Sequence, residues 1–286
     1  MDQPDMTSTP LGPPIDLADL PADPTELSII AHNTAVSAAD MVRARRRDGF
    51  GITTKSTITD MVTDLDKASD VLIRELLLSA RPDDGIITEE DIEHPGSSGI
   101  VWIVDPIDGT TNFVYDHPPY AVSIAATVDG RTIAAAVVEI SADDRYTASL
   151  GGGSFRNGIR LQLADPPPLD RAMIATGFGY SPQRRASQAA VVARIIDQVR
   201  DIRRLGAAAF DLCSVAAGRV DAYYEHGLSA WDLAAGQLIA AEAGASVEAI
   251  LGGSPLPHEG VLVAHPGLIG PLRELLIANG VADVEL

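Results

Sequence analysis

The sequence of 286 residues holds a single cysteine, Cys213, and only 21 Lys and Arg against 40 Asp and Glu. One cysteine excludes an intrachain disulfide, and its Ala-rich apolar surroundings predict a buried structural thiol. The shortage of cations, with a formal net charge of −19, argues against a nucleic-acid partner, because neutralising phosphates takes clustered Lys and Arg. The one basic run, Arg43, Arg45, Arg46 and Arg47, falls at the end of a predicted helix, where cations complement the dipole. No apolar run approaches the roughly 20 residues of a membrane helix, so no membrane association is expected. The N-terminus also lacks the basic stretch and apolar core of a secretory signal, which predicts a cytoplasmic protein.

What is present reads as globular: 46% of residues are hydrophobic and 21% charged. Residues 1–24, rich in Pro, Asp and Thr, predict a flexible tail. Asp23-Pro24-Thr25-Glu26 then combines an N-cap, a proline at the first helical position and an acid three residues after the cap. Leu27, Ile30, Ala31, Thr34, Ala38, Met41 and Val42 recur at helical spacing up to Asp48-Gly49. A second helix follows Asp64 and ends before Arg81-Pro82. The β-rich run Ile100 to Val104 predicts a strand, and Asp129-Gly130 a hairpin between Tyr120–Val128 and Thr132–Ile140.

A further strand is expected over Arg145–Leu150. The Gly151-Gly152-Gly153 triplet has no helix or Lys-Ser/Thr pair after it, so it reads as a loop rather than a phosphate loop. A soft boundary there divides an α+β part, 25–150, from an α/β part, 151–286. The second part predicts strands at Met173–Ala175, Val220–Tyr224 and Val261–Ala264. Helices are predicted over Arg184–Val199, Ala207–Ala217 and Asp232–Ala243, with another at the end of the chain.

The most informative segment is the apolar run Ile100-Val101-Trp102-Ile103-Val104 leading into Asp105-Pro106-Ile107-Asp108-Gly109-Thr110-Thr111-Asn112. Strand ends are where a rigid scaffold presents reactive groups. Asp105 and Asp108, with the Ile107 carbonyl between them, can converge on one hard cation or two neighbouring ones. Gly109 permits close backbone approach, and the Gly109 and Thr110 amides can open a helix whose N-terminus attracts phosphate. Two further acidic groups stand at element ends: Glu89-Glu90-Asp91 after Ile86-Ile87, and Asp232 after Trp231, where it is also a plausible N-cap.

These residues resemble the inositol monophosphatase family of magnesium-dependent, lithium-sensitive sugar-phosphate phosphatases, from about residue 26 onward. Four stretches carry the likeness: Lys55-Ser56 to Asp60 with Val62-Thr63-Asp64-Leu65-Asp66; Glu89-Glu90; Trp102 to Asn112 with Pro119 to Ile124; and Trp231-Asp232-Leu233-Ala234-Ala235-Gly236 with Glu242-Ala243-Gly244. The resemblance implies a layered αβαβα sandwich, a homodimer, and a metal cluster shared by the two parts of the chain. Glu89, Asp105 and the Ile107 carbonyl would hold one magnesium, and Asp105, Asp108 and Asp232 a second. Glu89 would help place a third, supported by Glu90.

Asp66 and Thr110, with Glu89, would orient the attacking water, and the Gly109 and Thr110 amides would receive the phosphate. Asp108, Ala208 and Glu225 would contact the hydroxyls of a polyol. The expected reaction is hydrolysis of myo-inositol monophosphate. The alternatives are the same chemistry on histidinol phosphate, fructose 1,6-bisphosphate or an adenosine bisphosphate, or a non-enzymatic regulator that binds RNA polymerase or RNA. Two departures from the family pattern stand out: Thr88 where Gly is usual, and Ala207 where Ser or Thr is common. His117 and His226 are expected as rim or structural residues.

Overall fold

The computed structural model describes residues 15–54, 61–90, 93–253 and 260–284. Lys55 to Asp60 and Asp91, named above, lie outside them. In chain order the regular elements are α1 (Pro24–Arg45), β1 (Ile52–Thr54), β2 (Met61–Thr63), α2 (Asp64–Ala80), β3 (Gly85–Thr88), β4 (Ile100–Asp108), α3 (Thr110–Val114), β5 (Ala121–Val128), β6 (Arg131–Glu139), β7 (Arg145–Ser149), β8 (Gly153–Arg156) and β9 (Ile159–Arg160). They are followed by β10 (Met173–Thr176), α4 (Pro182–Ile195), β11 (Asp201–Arg203), α5 (Ala208–Ala216), β12 (Ala222–Glu225), α6 (Ala230–Glu242), β13 (Ser246–Ala249), β14 (Val261–Ala264) and α7 (Pro266–Ala278).

The strands β3 to β9 form one sheet in sequence order, with β3 and β4 parallel and the later pairs antiparallel. A second sheet has the order β11-β10-β12-β14-β13, and β1 with β2 makes a small hairpin sheet. Alternation along the strands of the first sheet decides its two faces. Trp102, Val104, Val122, Ile124 and Ala126 pack with Leu27, Ala31, Ala35, Ile73 and Leu77 of α1 and α2. Ile103, Ala121, Ala125, Ala135 and Val137 pack instead with Phe210, Cys213, Ala234, Ala235 and Leu238 of α5 and α6.

The far side of that helix pair, with Leu212, Val215, Leu233 and Ala240, meets Ala175, Tyr223 and Val263 of the second sheet. The other face of that sheet is covered by Val191 and Ile195 of α4 and by Leu268, Leu272 and Leu276 of α7. The layers therefore run helix, sheet, helix, sheet, helix, the expected αβαβα sandwich. A helix layer enclosed by two sheets must be apolar all round, and all nine residues of α5 are buried. Where α6 crosses α5, a Cβ on Gly236 would stand 2.6 Å from the Leu212 Cβ and 3.1 Å from the Ala209 carbonyl oxygen, so the two helices touch backbone to backbone. Cys213 is buried in this layer, as its apolar surroundings predict.

The local signals form the structures they encode. Asp23 caps α1 by accepting from the Thr25 amide. Asp129 and Gly130, at φ 49° and 74°, make the two-residue hairpin between β5 and β6. Arg46 does not simply face the solvent at the end of α1: its guanidinium donates to the Phe113 carbonyl at 2.7 Å and lies over the Phe113 ring.

Several expectations shift. In the expected tail, Asp16 caps a short 3-10 turn, Leu17–Asp19, and Leu20 and Ala22 pack on the core. The Gly151 to Gly153 turn joins β7 to β8 inside the first sheet, which runs on to Arg160. Helix α6 is capped by Ser229, not by Asp232, which is the third helical residue and returns a bond to the Ser229 amide at 2.6 Å. Among the described residues, no helix is long and apolar enough to cross a membrane.

Candidate active site

The last residues of β4 carry the centre of the site. The β4–β5 register slips between Asp105, paired with Ser123, and Asp108, paired with Ala121. Such a bulge re-aims side chains at a strand end. Asp105 accepts from the Ile107 amide at 3.0 Å, which folds the turn back on itself. Asp108 accepts from the Ala208 and Ala209 amides at 3.1 and 2.8 Å, at the start of α5.

Asp232, one helix over, completes a group with Asp105 and Asp108: one oxygen from each carboxylate lies within 4.8 Å of the other two. Glu89 is not a member of this trio. It follows β3, and its amide donates to the Val104 carbonyl at 3.2 Å, which brings Glu89 and Asp105 to the same end of the parallel pair β3–β4.

Asp105 and Asp108 are buried, Asp232 and Glu89 partly so, and the acids repel one another. Burial, partly offset by the Ala209 and Ala208 amides and augmented by Glu89, pushes Asp108 up to about 7. Burial, then Asp108 and Glu89, raise Asp232 well above the usual carboxylate range. Clustered carboxylates held this way are unfavourable as anions until a cation shares the site. The donor set is all oxygen, with no thiolate or imidazole in the trio, so it fits a hard divalent cation.

Asp66 stands in the first turn of α2, where it has two partners. One oxygen accepts from the Thr63 amide at 2.8 Å and from the Thr63 hydroxyl; the other is 3.0 Å from the Thr110 hydroxyl. The Thr110 hydroxyl is also 3.0 Å from the Ile107 carbonyl. Burial raises the Asp66 pKa against the pull of these hydrogen bonds. Gly109, at φ 85°, precedes α3 in the left-handed region, and a Cβ there would lie 3.0 Å from the Ala207 Cβ. An alanine at 207 and a glycine at 109 thus fit each other.

A cavity of about 340 Å³ opens beside the trio, and Asp108, Gly109, Ala208, Glu225 and Asp232 all line it. Glu225 ends β12, accepts from the Tyr223 hydroxyl at 2.7 Å, and is pushed by burial up to about 7. A Cβ on Gly177 would fall 1.8 Å from a Glu225 oxygen, so that glycine makes room for the acid. Of the residues expected in the site, Asp66, Glu89, Asp105, Ile107 and Thr110 are not among those that line this cavity.

Sequence reasoning did not find Tyr180, Arg184 or Arg204, which line the same cavity with His226. Tyr180 and Arg204 sit in loops and Arg184 in the first turn of α4; the loops that hold Tyr180 and His226 leave the carboxyl ends of β10 and β12, and those ends were the available signal. His226 is 5% exposed, and burial, then Arg184, lower its pKa to about 4, so the ring in the wall is neutral. His117 is exposed, in the turn before Pro118.

Comparison with known proteins agrees with this architecture. Residues 23–281 match the model of the inositol monophosphatase family. An inositol-1-monophosphatase of Mycobacterium leprae is 43% identical over 283 residues, covering 92% of this chain and 97% of the relative. A protein of Pasteurella multocida named Nus factor SuhB is 44% identical over 221 residues, 77% of this chain and 82% of that one. The crystal structure of the extragenic suppressor protein SuhB of Bartonella henselae superposes with a TM-score of 0.83 at 32% identity, over 88% of this chain and 98% of its own. The chain belongs to the inositol monophosphatase family, a family of phosphatases.

Proposed function

We propose that this protein is a magnesium-dependent phosphomonoesterase that hydrolyses myo-inositol monophosphate to inositol and phosphate. The observation that carries the reading is the convergence of Asp105, Asp108 and Asp232, two of which line a cavity that also holds a partly buried Glu225. Asp105 belongs to both of two cation sites, one with Glu89 and the Ile107 carbonyl, the other with Asp108 and Asp232. Glu89 also serves a third, with Glu90 in support. Magnesium bound there supplies charge neutralisation for the phosphate oxygens, an acidified water and a steadied leaving alkoxide.

The chain's own residues do the rest. The Gly109 and Thr110 amides receive the phosphate. Asp66 accepts from the Thr110 hydroxyl, and this pair, with Glu89, orients the attacking water. Asp108, Ala208 and Glu225 read the hydroxyls of the alcohol. A buried carboxylate left without those hydroxyls costs about 1–3 kcal/mol, which selects a polyol over a plain ester. A homodimer, a cytoplasmic location and sensitivity to lithium belong to the same reading and rest on family likeness.

Turnover of inositol monophosphate, histidinol phosphate, fructose 1,6-bisphosphate and an adenosine bisphosphate, compared under magnesium, tests the substrate. A clear preference for histidinol phosphate or the adenosine compound would sink the inositol assignment. Asp105→Asn should remove nearly all turnover on every substrate while the melting temperature holds.

A second reading is favoured by the Pasteurella multocida relative's name: a regulator that binds RNA polymerase or RNA. The net charge of −19 weighs against RNA as the direct partner. Retention of polymerase in equal amount by the wild type and by Asp105→Asn would support it.

A further inference from the structure

Helix α2 is tied by side chains to three segments of the site. Asp66 meets Thr110 of α3 at 3.0 Å, and the Ser69 hydroxyl donates to the Pro106 carbonyl, inside the carboxylate turn of β4, at 3.1 Å. The third tie is made by Arg74. Its Nε donates to Asp70 at 2.8 Å, and its Nη2 donates to the Thr88 hydroxyl at 2.9 Å. Asp66, Asp70 and Arg74 follow at intervals of four, so they form one stripe along the helix. That stripe starts in the site and returns to it at Thr88, the residue before Glu89.

β3 is the edge strand of its sheet, and on its outer side Ile86 exchanges two backbone bonds with His94. Thr88, two residues further at the strand end, lies beyond that bridge and is less constrained than a residue of an inner strand. The Arg74–Thr88 contact supplies a hold at that end, largely out of solvent: the Asp70 side chain is 3% exposed, Thr88 5% and the Arg74 side chain 15%. A planar guanidinium bonded at two of its nitrogens fixes both partners.

We infer that Arg74 and Thr88 are positioning residues that set the place of Glu89 relative to Asp66. The inference rests on the reading in which those two acids orient the water. A hydroxyl is needed at 88 for this, so a glycine in its place would lack the tie; the departure from the family pattern here is a functional one.

The test uses Thr88→Val, which keeps the shape and removes the hydroxyl, beside Thr88→Ser, which restores it. Thr88→Val and Arg74→Met should each lower kcat by about tenfold or more and raise the magnesium concentration for half-maximal rate, as loss of a ligand's supporting partner does. KM and the melting temperature should change little, and Thr88→Ser should keep roughly half or more of the wild-type rate on the same argument. A Thr88→Val enzyme with unchanged kcat and magnesium response, or with a lowered melting temperature as its only defect, overturns the inference. If Arg74→Met does not fold, the Thr88 pair decides. Wild-type turnover by Glu89→Gln would instead refute the water-orienting reading itself.

Discussion

The Asp66 carboxylate and the Thr110 hydroxyl meet at 3.0 Å although 44 positions separate them in the chain. The acid is fixed from behind by Thr63, whose amide and hydroxyl both donate to its other oxygen. That arrangement leaves Thr110 with little freedom to turn.

Thr110→Val keeps the bulk of the side chain and removes the hydroxyl. Turnover should fall by about a hundredfold or more, the scale on which a positioned proton-transfer partner acts. Thr110→Ser should retain most of it. Steady-state rates at saturating magnesium, with the fold followed by circular dichroism, distinguish the two.

Glu225 and Gly177 should fail in the same way. Glu225→Gln weakens hydroxyl recognition, so kcat/KM for a polyol phosphate should fall about tenfold more than for an aryl phosphate, from the cost of about 1–3 kcal/mol for an unmet buried partner. Gly177→Ala pushes a methyl against the same carboxylate and should reproduce that selectivity change. Equal losses on both substrates would remove Glu225 from specificity.

Metal-free protein should lose stability as pH rises. Burial raises Asp108 from 3.8 and Glu225 from 4.5, each to about 7. A carboxyl whose folded pKa is raised binds its proton more tightly in the folded state. Its contribution is whole below the unfolded value and is lost as pH climbs through the folded one. The melting temperature in chelator should therefore fall between about pH 4.5 and about pH 7, and Glu225→Gln should flatten the slope. Magnesium added at the upper end should restore stability by binding only the folded state.

Lithium offers an independent check of the Asp108/Asp232 pair. Inhibition is expected on the order of tens of millimolar, as suits a small hard cation of modest affinity at oxygen ligands. Insensitivity in rate measurements at that level would count against a cation site made by those two acids.

Much of this was legible because local signals agreed with the tertiary outcome. The apolar run ending at Asp105 is β4, and Asp129-Gly130 is a hairpin turn, since both depend on near neighbours. Asp232 shows where local reading stops: its place before an Ala-rich helix suits a cap, but Ser229 takes that role and frees Asp232 to point from the first turn. The short strands β11 and β13, three and four residues at the two edges of the second sheet, carry too little periodicity to be read. Tyr180 and Arg204 reach the cavity from loops, and a loop's destination is set by the packing of the layers it connects.

The contact at Gly236 gives the carboxylate cluster a fixed gauge. Ala209, whose carbonyl lies against Gly236, lends its amide to Asp108, and Asp232 stands one helical turn before Gly236. The width of two helix backbones pressed together thus governs how far apart two of the clustered acids stand. A single added methyl at 236 would act as a shim driven between the sheets, and would be felt at the carboxylates before it was felt at the surface.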